Sequence, residues 1–128
     1  MAIRIVQLGS PRLPDEGLRL GTVRRPPRGV AKKDFARLHY YDLWLPMLAP
    51  SAGTVKLGQQ ATAEGQWRRF RKKYRAEMAR PEARMVVKLL AGLSRQTNFS
   101  VGCYCVDESH CHRSVLRELL KEAGAELH

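Results

Sequence analysis

A chain of 128 residues, 44% of them hydrophobic, is long enough for one domain with its own core, and no apolar run approaches the roughly 18 residues of a membrane span. The 23 Lys and Arg against 12 Asp and Glu leave a net charge of +11, which suits an acidic partner such as a nucleic acid, a nucleotide or a phosphorylated metabolite without selecting among them. Three cysteines, two of them only one residue apart, argue against a disulfide-stapled scaffold and for thiols or metal ligands in a reducing compartment.

The first residues, Met1-Ala2-Ile3-Arg4-Ile5-Val6, lack the long apolar core of a signal peptide, so the expected location is cytoplasmic. Ala2 to Leu8 is rich in β-branched residues and predicts a first strand, central in the sheet. Gly9 to Gly17 carries Gly, Pro, Asp and Glu and reads as a loop. Leu18 to Val23 predicts a second short strand, with Leu18, Leu20 and Thr22 on one face.

Arg24-Arg25-Pro26-Pro27-Arg28-Gly29-Val30 follows. Its two prolines disfavour helix and stiffen the turn. Arginines on a stiff turn after a strand can clamp an anion, which nominates Arg25 and Arg28 as anion-binding residues; the same residues can also be no more than a solvated loop. Ala31 to Leu38 predicts a short helix. His39 to Leu48, with Tyr40, Tyr41 and Trp44, suits either core filling or the wall of a pocket for a planar ligand. Pro50-Ser51 and Gly53 predict another turn.

The clearest helix comes next. Thr62 is its expected cap, Glu64 lies in its first turn, and Trp67, Phe70, Tyr74 and Met78 recur at helical spacing as a core stripe. Arg68, Arg69, Arg71, Lys72, Lys73 and Arg75 form a basic face, either solvated or available to nucleic-acid phosphates. Pro81 opens another helix with the apolar stripe Met85, Val86, Leu89, Leu90 and Leu93. A buried strand over Asn98 to Cys105 and a last helix over Arg113 to Glu122, burying Val115, Leu116, Leu119 and Leu120, complete the chain, with Gly124 at the end of that helix. The order predicts a single α/β domain, a mostly parallel sheet flanked by helices on both faces, with ligands at the carboxyl ends of the strands.

At one such end stands Cys103-Tyr104-Cys105-Val106-Asp107-Glu108-Ser109-His110-Cys111-His112-Arg113-Ser114. Three chemistries fit it. With Ser109 as a helix cap, Cys111 and His112 fall in the first turn, where unpaired N–H groups and the helix dipole favour a thiolate. Cys105 or Cys111 is then a nucleophile or redox thiol, His112 its base, and Arg113 with Ser114 the anion clamp. A Cys-x5-Arg phosphatase loop is absent: seven residues separate Cys105 from Arg113 and one separates Cys111 from it. Alternatively, Cys103, Cys105, Cys111 and His112 can supply sulfur and nitrogen ligands to a metal, although the two close ligand pairs of ordinary zinc modules are missing. Finally, the cysteines can be inert core residues, with Arg113 pairing Asp107 or Glu108. No particular cofactor, and no oligomeric state, follows from the residues.

Cys103-Tyr104-Cys105, Asp107-Glu108, Cys111-His112-Arg113-Ser114 and Leu119-Leu120 resemble the signature of the domain of unknown function 488 family. Arg24 to Val30 is similar to that family's Arg-Pro-Arg-Gly turn, Leu48-Ala49-Pro50-Ser51 to its Leu-Ala-Pro-Ser element, and Trp67-Phe70-Tyr74 to its aromatic helix. The family turn often begins Asp-Arg-Leu-Trp, where this chain has Thr22-Val23-Arg24-Arg25. The resemblance spans nearly the whole chain and implies an α/β domain, but no established activity.

Overall fold

The computed structural model describes residues 2–128. Four parallel strands, β1 (Ile3–Gln7), β2 (Leu18–Gly21), β3 (Leu43–Trp44) and β4 (Phe99–Cys103), lie in the order β1-β4-β2-β3. Four helices accompany them: α1 (Ala52–Gln60), α2 (Glu64–Met78), α3 (Pro81–Leu93) and α4 (His112–Glu122). The domain is α/β, as expected, and its sheet is wholly parallel. Among the described residues no helix is long and apolar enough to cross a membrane.

β4 occupies the centre because every one of its residues is buried, which a strand can sustain only with partners on both edges and cover on both faces. The expectation that β1 is central is therefore corrected. It pairs with β4 on one side and meets only the C-terminal segment on the other, where Ile3 N–H donates to the Glu126 carbonyl at 2.9 Å.

The side chains of Ile3, Leu20, Phe99 and Val101 share a core with Tyr74 and Met78 of α2, Ala83, Val87 and Leu90 of α3, and Val115, Leu116 and Leu120 of α4. The opposite side of the sheet carries Arg19 and Ser100, which the loop after β1 covers through Glu16. Arg19 is fully buried: Nε and Nη2 donate to Glu16 at 2.7 and 2.9 Å, and Nη1 donates to the carbonyls of Ser10 and His39. Each of the three guanidinium nitrogens has a partner, so the charge sits in the interior paired and hydrogen-bonded.

Several local expectations change. Leu18 opens β2 exposed instead of sharing a buried face with Leu20, and the Ala31–Leu38 segment keeps only a 3-10 turn at Lys32–Asp34. Ser51 does not turn the chain away but caps α1, its hydroxyl accepting from Thr54 N–H at 3.4 Å. The cap of α2 is Ala63 and not Thr62; Gln66 reaches back to accept from both backbone N–H groups. On α3 the buried stripe is Ala83, Val87, Leu90 and Ala91, whereas Met85 and Leu89 face solvent. Alanine lets the helix approach closely, and that rotates the predicted stripe outward.

Candidate functional site

β4 ends at Cys103, two residues earlier than the sequence predicts, and Cys105 turns out to solvent. A 3-10 turn follows at Glu108–His110, capped by Asp107, whose carboxylate accepts from Ser109 N–H at 3.0 Å. Ser109 therefore caps nothing in α4. Cys111 is the cap residue of that helix, without a side-chain hydrogen bond to its backbone, and His112 is the first helical residue.

This geometry folds Cys111 back onto Cys103. Their sulfurs approach to 2.6 Å, both buried beside Leu8, Val23 and Tyr41. His112 is buried next to them. Its Nε2 lies 2.8 Å from the Thr22 carbonyl, a pure acceptor, so that nitrogen carries the proton. Nδ1 is then the lone-pair nitrogen, and it faces Cys111 Sγ at 3.7 Å. The sulfurs of Cys103 and Cys111 and a ring nitrogen of His112 lie within 4.8 Å of one another, and among the described residues they form the one such tight Cys/His group. Cys105 lies outside it.

Arg113 is 3% exposed and does not open into solvent as an anion clamp would. It donates through Nη2 to the Cys105 carbonyl, and its Nε finds no hydrogen-bond partner. Asp107 and Glu108 are occupied elsewhere, by His110 and by Arg117. Burial works against the Arg113 charge, but Cys103 and Cys111, together with the Glu108 carboxylate, outweigh it and raise its pKa. Cys105 moves the other way. The neighbouring thiols Cys103 and Cys111, followed by the Arg113 guanidinium, hold it well below the usual thiol range. Cys103 is pushed up by Cys105 and Cys111. Cys111 is shifted down, by Cys103 first and then by His112. Ser114 turns back to cap the Cys111 carbonyl at 2.9 Å and does not reach the cleft.

The arginine turn comes to this place from the other side. Tyr104 donates its hydroxyl to the Arg25 carbonyl at 2.8 Å, which fixes the turn beside the cysteine loop. Arg24, Arg25 and Arg28 line a cleft of about 380 Å3 together with Cys103, Cys105 and His112. Val55 and Gln59 of α1 close its far wall. Two contributors carry no sequence signal of their own: the Tyr104 tether, which no spacing betrays, and α1, whose Gly53 and Gly58 disguise it. The basic face of α2 is smaller than its sequence suggests, because Arg71 and Arg75 pair with Glu118 and Glu122 of α4.

No curated protein and no solved structure matches the chain. A family model described as the active DUF488-N3 subclade matches residues 3–124. With nearly all of its length matched, the chain belongs to the DUF488 family.

Proposed function

We propose that the protein is a cytoplasmic enzyme that binds an anionic small molecule in the Arg24–Arg28 cleft and acts on it through the Cys105 thiolate. The observation that carries this reading is Arg113. A buried guanidinium with no carboxylate hydrogen-bonded to it favours a negative partner, and the thiols of Cys103 and Cys111 act on it ahead of the more weakly coupled Glu108. Stabilising a thiolate is the chemical consequence, and Cys105 is the sulfur that solvent and substrate can reach. Arg25 and Arg28 would hold the anion. Attack would join Cys105 Sγ to the electrophilic atom and expel its leaving group. Water would then attack the same electrophilic atom, breaking its bond to Cys105 Sγ and returning the thiolate, with Cys111 and His112 Nδ1 as the neighbouring thiol and base.

The test is alkylation of each cysteine against pH, followed by peptide mass mapping. Cys105 is expected to react well below the ordinary thiol pKa of about 8.5, and faster with anionic iodoacetate than with neutral iodoacetamide, the reverse of a free thiol. An ordinary pH profile with no anion preference overturns the proposal.

A second reading has its own observation: the compact Cys103, Cys111 and His112 group, with His112 Nε2 anchored on a backbone carbonyl as metal-bound histidines usually are. Co-purified zinc that blocks alkylation of Cys103 and Cys111 until a chelator removes it would favour that reading.

A further inference from the structure

The cleft beside Cys105 does not end at the arginine turn. Arg24, Arg25 and Pro50 also line a second cleft, of about 580 Å3, which runs on to Trp44, Met47 and Arg80. The two clefts adjoin at these three residues and together form a trough, Cys105 lining the first part and Trp44 the second.

Trp44 is unusual for a tryptophan on a strand. It is 45% exposed, yet its ring is pinned, because Nε1–H donates to the Val23 carbonyl at 2.6 Å. A ring already fixed loses little freedom when a ligand stacks on it. The cations of the trough are free to meet a ligand. Arg4, Arg12, Arg19, Arg37, Arg71, Arg75, Arg95 and Arg117 each pair with an acid. Among the described residues Arg24, Arg25 and Arg28 have no such partner, a state they share with Arg68, Arg69 and Arg84 elsewhere on the surface, and Arg80 acts on Glu77 only through its charge; what sets the first three apart is that they line the cleft beside Cys105. Of the two carboxylates in the wall, Glu77 is occupied by Ser51 and Thr54. Glu82 remains as an acceptor suited to a ring amine.

Unpaired guanidiniums beside a rigid exposed indole match a ligand that joins a phosphate to a flat ring. We propose that the anion taken by this site is a nucleotide, its phosphate on Arg24, Arg25 and Arg28 next to Cys105 and its base stacked on Trp44. This rests on the thiolate enzyme reading for its anion site but adds the ring-binding half of the trough, which the thiol chemistry does not require.

Calorimetric titration with adenosine 5′-monophosphate, adenosine, ribose 5-phosphate and a ten-residue single-stranded oligonucleotide tests it. The nucleotide is expected to bind, with adenosine and ribose 5-phosphate each at least about tenfold weaker. Trp44→Leu and the double change Arg24→Ala, Arg25→Ala are each expected to lose at least that factor, whereas Trp44→Phe keeps most of the affinity. The two arginines are exposed, so the double variant reports on binding even if Trp44→Leu fails to fold. Ribose 5-phosphate binding as well as the nucleotide overturns the proposal, as does an oligonucleotide that binds far more tightly than the free nucleotide. Cys105→Ser is expected to retain nucleotide affinity. If no nucleotide binds while Cys105 keeps its acidic, anion-preferring reactivity, the nucleotide proposal fails and the thiolate reading stands. If the nucleotide binds while Cys105 reacts as an ordinary thiol, the thiolate reading fails and the nucleotide site stands.

Discussion

Arg19 and Arg113 are both buried, and their different partners explain their different uses. Arg19 meets the Glu16 carboxylate and two carbonyls, so its charge is neutralised and its donors are satisfied. Arg113 meets a carbonyl and sulfurs, with Glu108 acting on it only at longer range, and in the proposed function its charge is met by a thiolate. The first arrangement is a brace and the second a bias on chemistry. Replacing Glu16 with Gln leaves a buried cation uncompensated, and a loss of about 3–5 kcal/mol is expected in urea denaturation. The same pair sets a pH window. Burial pulls the Glu16 pKa upward, but hydrogen bonds from Arg19 and Ser100 outweigh it and bring it from the ordinary 4.5 to about 2. A depressed carboxylate contributes stability above its unfolded-state value and loses it on acidification. The melting temperature is expected to fall as pH drops from about 4.5 toward 2. In Glu16→Gln that part of the fall should be missing.

Between residue and molecule, the elements differ in how far their own sequences specify them. α2 is self-evident, since Trp67, Phe70, Tyr74 and Met78 recur at helical spacing and all four are buried. α1 is not. It contains two glycines, and its start is held by Glu77, which accepts from Ser51 N–H, Ser51 Oγ and Thr54 Oγ1 at 2.9, 2.7 and 2.6 Å. A cap contributed from another helix leaves no signature near position 51. Removing that carboxylate with Glu77→Ala strands a hydroxyl and an N–H, and the expected cost is about 1–3 kcal/mol. Hydrogen exchange should show the loss concentrated in α1, with α2 far less affected. α4 is intermediate. Its buried Val115, Leu116 and Leu120 are predictable, but the helix begins at His112 because Cys111, and not Ser109, takes the extended cap conformation.

For the molecule as a whole, the charge of +11 is less informative than its distribution. Ion pairs consume part of the basic surface, including Arg71 and Arg75 on α2 and Arg117 on α4. Among the arginines left unpaired, Arg24, Arg25 and Arg28 are exposed and line the cleft that contains Cys105. Exposed charges act through solvent and are screened within about 10 Å at 0.1 M salt. The ratio of iodoacetate to iodoacetamide reactivity at Cys105 is therefore expected to fall severalfold between about 0.05 and 0.5 M salt. The pH midpoint should move far less, because Arg113, buried against the sulfurs, is sheltered from counterions. A midpoint that followed salt as strongly as the ratio would place the source of the bias on the surface.

What the linear chain determined by itself was the class of the fold, the strand-to-helix position of the cysteines and the stiffness of the arginine turn. Each depends on residues close together: β-branched runs, aromatic periodicity, paired prolines. The tertiary structure alone decided which thiols are buried, which way Arg113 faces and what stands across the cleft. Those outcomes come from groups far apart in the chain: Thr22 orienting His112, Tyr104 tethering Arg25, and Arg24 and Arg25 linking the Cys105 cleft to Trp44. Hydrogen bonds and burial act through space, so a local pattern can nominate a reactive residue but cannot say which neighbours will set its charge.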